Sequence, residues 1–280
     1  MNVLRQGYGG LVERRAFLTA LSAFAAIALE RFDVAAAQAP GASLDSLVDD
    51  LVAGNRILAM ENVLDGMGHI SARHPGRAGR FLLARSVAPE LVTRDDIMEF
   101  DFDGMPVDAK GRTPYKERFI HSEIYRVRQD VNAIVHCHAP SLIPFADTRV
   151  PLRAMYHMAA FVAEGVPVFD IRAVAGVTDL LVSDAKLGKA LAQALGSKPA
   201  ALMKYHGAVV VASSVPNVVG RSVYLDINAR VQIQAMTLGG GAGTFSYIDP
   251  AEARLRMADP NEYSRAWELW KRKLGRPADR

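Results

Sequence analysis

The segment Asp130-Val131-Asn132-Ala133-Ile134-Val135-His136-Cys137-His138 decides how this chain is read. Its apolar run ends in two histidines one residue apart, and a strand places residues i and i+2 on the same face. His136 and His138 therefore present their imidazoles to one side, while Cys137 faces the other. Two neutral imidazoles side by side are half of a zinc-type site. Taken alone the tripeptide also fits two histidines alternating on a half-buried strand, so its surroundings must decide.

The chain has 280 residues, 50% of them hydrophobic and 22% charged, which is enough apolar material for a large core. A formal charge of +3 without any run of Lys or Arg excludes a nucleic-acid arm and assigns the excess to local anion sites. Cys137 is the only cysteine. That rules out an internal disulfide framework and a cysteine-rich metal site, so a metal must rest on His, Asp and Glu.

At the N-terminus, Glu13-Arg14-Arg15-Ala16-Phe17-Leu18-Thr19 precedes an apolar stretch from Ala20 to Leu29 and then Ala35-Ala36-Ala37. The pattern resembles a twin-arginine export signal over residues 1–37 with a small-residue cleavage site, which predicts a periplasmic mature protein. The apolar stretch is too short to span a bilayer as a mature helix, so no membrane partner is expected. Glu30, Arg31 and Asp33 depart from such a signal. If the segment is instead an amphipathic helix or a misplaced start, the protein stays cytoplasmic.

From Ser43, a good helix cap, apolar residues at helical spacing predict a helix running to Met60. Strands are expected over 69–73 and 80–84, paired antiparallel across Pro75-Gly76, with a third over 97–102. A helix over 114–128 with Pro114 in its first turn precedes the His-Cys-His strand, and Pro140 opens another. Further on come a strand over 166–171, a helix over 184–195 stopped by Gly196, and a strand over 200–212 broken at His206-Gly207. A long helix over 215–238 is too apolar for one exposed face and should be covered on two sides. A closing helix over 261–274 carries Trp267 and Trp270. Without regular βαβ alternation, this order predicts one α/β domain over 44–280, its sheet mostly antiparallel or mixed and covered by helices.

His206, in Lys204-Tyr205-His206-Gly207, is the natural third ligand, and Gly207 lets the backbone turn sharply or pass close to something. Three histidines leave a coordination position open, as catalytic sites do. By itself His206 also fits a satisfied core histidine. Glu117 and His121 lie four apart on one face of the preceding helix. A carboxylate there can complete a metal shell or act as a base, and the competing reading is a surface glutamate beside Lys116 and Arg118.

Together, Glu117-x-x-x-His121, the segment from Asp130 to His138, and Lys204-x-His206-Gly207 followed by a long apolar helix resemble the class II aldolase/adducin family over roughly residues 44–250. The resemblance implies a three-layer α/β/α fold around a mostly antiparallel sheet. It also implies a divalent metal on His136, His138 and His206, usually zinc with manganese as the alternative, and a homotetramer with active sites at subunit interfaces. By the same resemblance Glu117 is the acid/base glutamate, and the tyrosine that donates a proton from the neighbouring subunit is matched by His157. Adducins share the fold without the full ligand set and do not catalyse.

Several positions depart from the phosphosugar members. Tyr115 and Lys116 stand where the family's phosphate-holding serines are, His69 replaces an asparagine, and Arg85-Ser86 falls in the usual Thr-Gly element. Lys116, His69 and Arg85 suit a carboxylate better than a phosphate. These changes resemble the decarboxylase branch, whose characterised type acts on 3-hydroxy-2-methylpyridine-4,5-dicarboxylate. The expectation is a metal-dependent carbon-carbon lyase acting on a small non-phosphorylated hydroxy-carboxylate, by decarboxylation or retro-aldol cleavage through an enolate that the metal stabilises. A sugar-phosphate aldolase or 4-epimerase and a non-catalytic adducin-like protein are the alternatives.

Overall fold

Strands that are apolar on both faces need a helical layer on each side, and the computed structural model supplies both. It describes residues 43–241, 245–259 and 263–275; the export signal expected over residues 1–37 lies outside the described residues. In chain order the elements are α1 (Leu44–Met60), β1 (His69–Arg73), β2 (Arg80–Ala84), β3 (Ile97–Asp101), α2 (Arg118–Val127), β4 (Ala133–Cys137), α3 (Ile143–Asp147), β5 (Val168–Phe169), α4 (Arg172–Ala175), α5 (Ala185–Leu195), β6 (Ala200–Met203), β7 (Gly207–Ala212), α6 (Val215–Leu238), α7 (Pro250–Arg256) and α8 (Ser264–Leu274). The strands form one sheet in the order β3-β2-β1-β4-β7-β6-β5. Every pairing is antiparallel except β5 with β6. The expected three-layer, mostly antiparallel architecture is therefore present.

On one face Ile70, Leu82, Val135, Cys137, Leu202 and Val210 pack beneath α1, α6 and the two tryptophans of α8. On the other, Phe81, Leu83, Ile134, Met203 and Val209 meet Ile120 and Ile124 of α2 and Leu187 and Leu191 of α5. Burying each of these side chains stabilises the fold by roughly 1.5–3 kcal/mol. A one-residue slip of β4 would exchange its two faces, so packing locks the register that pairs His136 with His69 and with Val209.

Several boundaries differ from the sequence expectation. Pro114 forms an isolated bridge with Arg85, which keeps residues 114–117 out of the helix and starts α2 at Arg118. The strand expected over 166–171 is reduced to Val168–Phe169 at the sheet edge. The helix expected at Pro140 begins at Ile143, and α7 was not foreseen. Ser43, Asp184 and Ser214 cap α1, α5 and α6 through their side-chain oxygens. α6 packs between the sheet and the helices α1 and α8, as its composition predicts, yet its last turns leave Ile233 and Leu238 exposed.

The break at His206-Gly207 is a tight turn between β6 and β7. A Cβ placed on Gly207 would lie 2.0 Å from the Cys137 carbonyl oxygen and 3.1 Å from the His138 Cα. Only glycine lets the end of β4 lie against the start of β7. Gly207→Ala should therefore destabilise the fold by about 1–3 kcal/mol or more and lower metal content, as measured by urea unfolding and elemental analysis.

Candidate metal centre

β4 delivers His136, the residue just beyond it is His138, and the turn after β6 delivers His206. In that turn Tyr205 adopts a left-handed conformation with φ of 57°, uncommon for an aromatic residue. Its amide donates to Asp147 Oδ1 at 3.0 Å, which ties the turn to the end of α3. The result is convergence: His138 Nε2 lies 3.0 Å from His136 Nε2 and 3.2 Å from His206 Nε2. Glu117, 8% exposed and just ahead of the first turn of α2, brings Oε2 to 3.5 Å from the Nε2 atoms of both His136 and His206. One donor atom from each of the four residues lies within 4.8 Å of the other three.

The opposite ring nitrogens explain the arrangement. His136 Nδ1 lies 3.1 Å from the Ala208 carbonyl, His206 Nδ1 3.0 Å from the Leu180 carbonyl, and His138 Nδ1 3.3 Å from Asp65 Oδ1. All three partners are acceptors, so each ring carries its proton on Nδ1 and aims a bare Nε2 lone pair at the others. Three converging lone pairs repel one another, and a cation among them reverses the sign. A divalent metal fits this donor set, with oxygen partners orienting each ring from behind.

Electrostatics at the cluster suit a cation. Burial and the neighbouring His136 and His206 push His138 below its ordinary value, which favours the neutral form that binds metal. Burial alone would raise the Glu117 carboxyl, but its interactions with His136 and His206 outweigh that and hold it far below the carboxylate range. Its second oxygen accepts from the Val182 amide at 2.9 Å. Burial pushes Cys137 up to about 11, so the thiol stays protonated on the far side of the strand and takes no part.

A cleft of about 560 Å³ opens beside the cluster. Its walls include His69, Ser86, Val87, Pro114, Tyr115, Lys116 and Leu181 along with Glu117, His138 and His206. Burial pushes the Tyr115 hydroxyl up to about 12, and it donates to the Val87 carbonyl, so the ring serves as wall. Lys116 is exposed at the rim. Two expected residues are elsewhere. Arg85 does not line the cleft; its Nε donates to Asp96 Oδ1 at 2.5 Å, whereas Ser86, Val87 and Ala88, which follow it, do line the cleft. His157 is exposed at the start of the 3₁₀ turn His157–Val162 and lines no part of the cleft within one chain.

Other participants left no motif in the sequence. Asp65 sits in a loop with nothing to mark it, and Leu180 and Val182 contribute only backbone atoms to the cluster, with Leu180 held at φ of 67° as its carbonyl meets His206. The spacing of Glu117 and His121 did point at this region, but the two side chains separate. The carboxylate joins the triad, whereas His121 turns to His69 at 2.7 Å.

The sequence profile described as "Class II Aldolase and Adducin N-terminal domain" matches residues 49–233. The chain belongs to the class II aldolase/adducin family. It is 34% identical to the decarboxylase tropJ of Talaromyces stipitatus over 248 residues, covering 81% of this chain and 93% of that protein. It is 29% identical to a 3,4-dihydroxyphthalate decarboxylase of Arthrobacter keyseri, covering 70% and 82%. An L-fuculose 1-phosphate aldolase from Glaciozyma antarctica superposes with a TM-score of 0.68 at 22% identity, covering 86% of this chain and 96% of that one, and so shares the fold. The protein is a lyase of this family.

Replacing Asp65 by Asn removes the charge behind His138 while keeping an oxygen for the Met67 and Gly68 amides that Asp65 Oδ1 also accepts. Metal affinity should fall about tenfold, measured by competition with a chromogenic chelator.

Proposed function

We propose that this protein is a divalent-metal-dependent decarboxylase acting on a non-phosphorylated aromatic hydroxy-carboxylate. The observation that carries the proposal is the cleft. Val87, Ala88, Pro114, Tyr115 and Leu181 make apolar walls that lead to Glu117 and the histidines, with Lys116 at the rim. A flat ring with an anionic substituent suits those walls, whereas a sugar phosphate needs polar partners for each of its hydroxyls. The similarity to two decarboxylases over most of their length supports the same reading.

His136, His138 and His206 would hold the metal, zinc by the character of the donors and manganese second. When bound, it supplies positive charge that draws electron density from the substrate oxygens and stabilises the charge that develops as the bond breaks. Lys116 would pair with a carboxylate at the rim, and Ser86 and Thr113 are hydroxyls in reach of the bound ring. Glu117, ionised in the resting site, would take the proton of the substrate hydroxyl and return it to the ring carbon that bears the leaving carboxylate. The carbon-carbon bond then breaks, carbon dioxide departs, and the electron pair returns through the ring to the phenolate oxygen, which is protonated from water on release. His157 would reach the cleft of a neighbouring subunit in a homotetramer and assist proton delivery there. Export to the periplasm through the N-terminal segment is part of the same proposal.

Metal-loaded protein should release carbon dioxide from ortho-hydroxy aromatic dicarboxylates and stop when a chelator is added. Trapped aldehyde from sugar phosphates with no carbon dioxide would instead identify an aldolase. Less than one equivalent of metal with neither activity would identify an adducin-like binding protein. Glu117→Gln keeps an oxygen for the Val182 amide, so it should retain metal while losing about 10²- to 10⁴-fold in turnover. Full turnover in that variant would remove Glu117 from the chemistry.

A further inference from the structure

Beneath the cleft, four polar groups form a single file inside the α2 side of the sheet. His69 Nδ1 lies 2.7 Å from His121 Nε2, His121 Nδ1 lies 2.6 Å from Ser71 Oγ, and Ser71 Oγ lies 2.8 Å from the Tyr125 hydroxyl. His69, Ser71, His121 and Tyr125 are all within 1% of complete burial. His69 and Ser71 share a face of β1, and His121 and Tyr125 stand one turn apart on α2, so strand and helix periodicities meet along this line.

Counting protons along the file decides its direction. Both imidazoles are buried beside the metal ligands, where a further positive charge is disfavoured, so each carries one proton. If the hydrogen bonds run outward, Tyr125 donates to Ser71, Ser71 to His121 Nδ1, and His121 Nε2 to His69 Nδ1. Every donor inside the file is then used, and the proton of His69 must reside on Nε2. If they run inward, the Tyr125 proton is left buried, because among the described residues Ser71 is its only hydrogen-bond partner. A mixed arrangement orphans the Ser71 proton in the same way. An orphaned buried donor biases such an equilibrium by about 5- to 150-fold.

We propose that Ser71 and His121 are positioning residues that lock His69 in its Nε2–H tautomer, making His69 a fixed hydrogen-bond donor to an anionic oxygen in the cleft. His69 lines the cleft, with its ring 4.5 Å from that of Tyr115 and 5.2 Å from that of His136, and Nδ1 is committed to His121. Nε2 is therefore the polar atom it offers outward. A neutral donor favours a carboxylate or phenolate oxygen and leaves an incoming N–H or protonated amine unmatched. That the recipient is a substrate carboxylate rests on the decarboxylase reading; the tautomer does not.

The test is nitrogen-15 NMR of histidine-labelled, zinc-loaded protein, with the His69 signals assigned by their loss in His69→Asn. The wild-type ring should show a protonated Nε2 and a bare Nδ1. Ser71→Ala cuts the file and should turn His69 into a mixture of tautomers. Tyr125→Phe deletes an equally buried hydroxyl but leaves Ser71 with His121 as its only acceptor, so His69 should keep its wild-type tautomer. A proton on Nδ1 in the wild type, no change in Ser71→Ala, or equal changes in both variants would overturn the proposal. The second arm is calorimetric binding of phthalate to the same zinc-loaded proteins. Ser71→Ala should weaken phthalate about fivefold in the wild-type background and have no effect in His69→Asn, whose amide donates whatever the file does. Equal weakening in both backgrounds would show a structural effect unrelated to His69. A locked tautomer in protein that ignores phthalate would count against the carboxylate reading and leave the lock standing.

Discussion

The antiparallel pairing of β4 with β7 is the constraint on which the site depends. It sets Cys137 opposite Ala208, so that the residue after β4 and the residue before β7 leave the sheet side by side. His138 and His206 are those residues. Gly207 makes the approach sterically feasible, and the Ala208 carbonyl, still part of the ladder, accepts the Nδ1 proton of His136. The same hydrogen-bond pattern that builds the sheet thus brings the three histidines together and assigns the tautomer of one of them.

Packing protects this arrangement. The apolar groups on both faces of the central strands make a register shift expensive, and His136 can sit fully buried on the α2 side only because its two ring nitrogens face a carbonyl and the triad. Strain is confined to short connections. Leu180 and Tyr205 both have positive φ, one offering a carbonyl to His206 and the other lying next to it in sequence. Backbone held in such conformations by a well-packed sheet is stiff, which suits a site whose donors must stay put as a metal binds.

The cleft combines an apolar wall with a narrow band of polar groups. Tyr115 spends its hydroxyl on the Val87 carbonyl and presents its ring, and Glu117 spends one oxygen on the Val182 amide and presents the other. His69 is held from below in a comparable manner. In each case a second contact behind the wall decides what the first residue shows to the cleft. Arg85 illustrates the reverse. With Asp96 already beside it, a side chain expected to grip substrate becomes half of an ion pair.

Much of this was legible in the sequence because it depends on local rules. Period-two and period-3.6 patterns located most strands and helices, Ser43 and Gly196 marked helix ends, and the three histidines were identified by strand geometry together with their order along the chain. The legibility ended where a partner lies far away in sequence. No local signal links Asp65 to His138, Val182 to Glu117 or Ser71 to Tyr125, since those contacts arise only when segments distant in sequence are packed together. For the same reason the spacing of Glu117 and His121 predicted a shared helical face but not their different destinations. The sequence by itself determined the fold class, the three histidines to be brought together and the carboxylate beside them. Only the tertiary structure decided which nitrogen of each ring faces inward and which charged side chains reach the cleft, because both are settled by hydrogen-bond partners that close packing supplies.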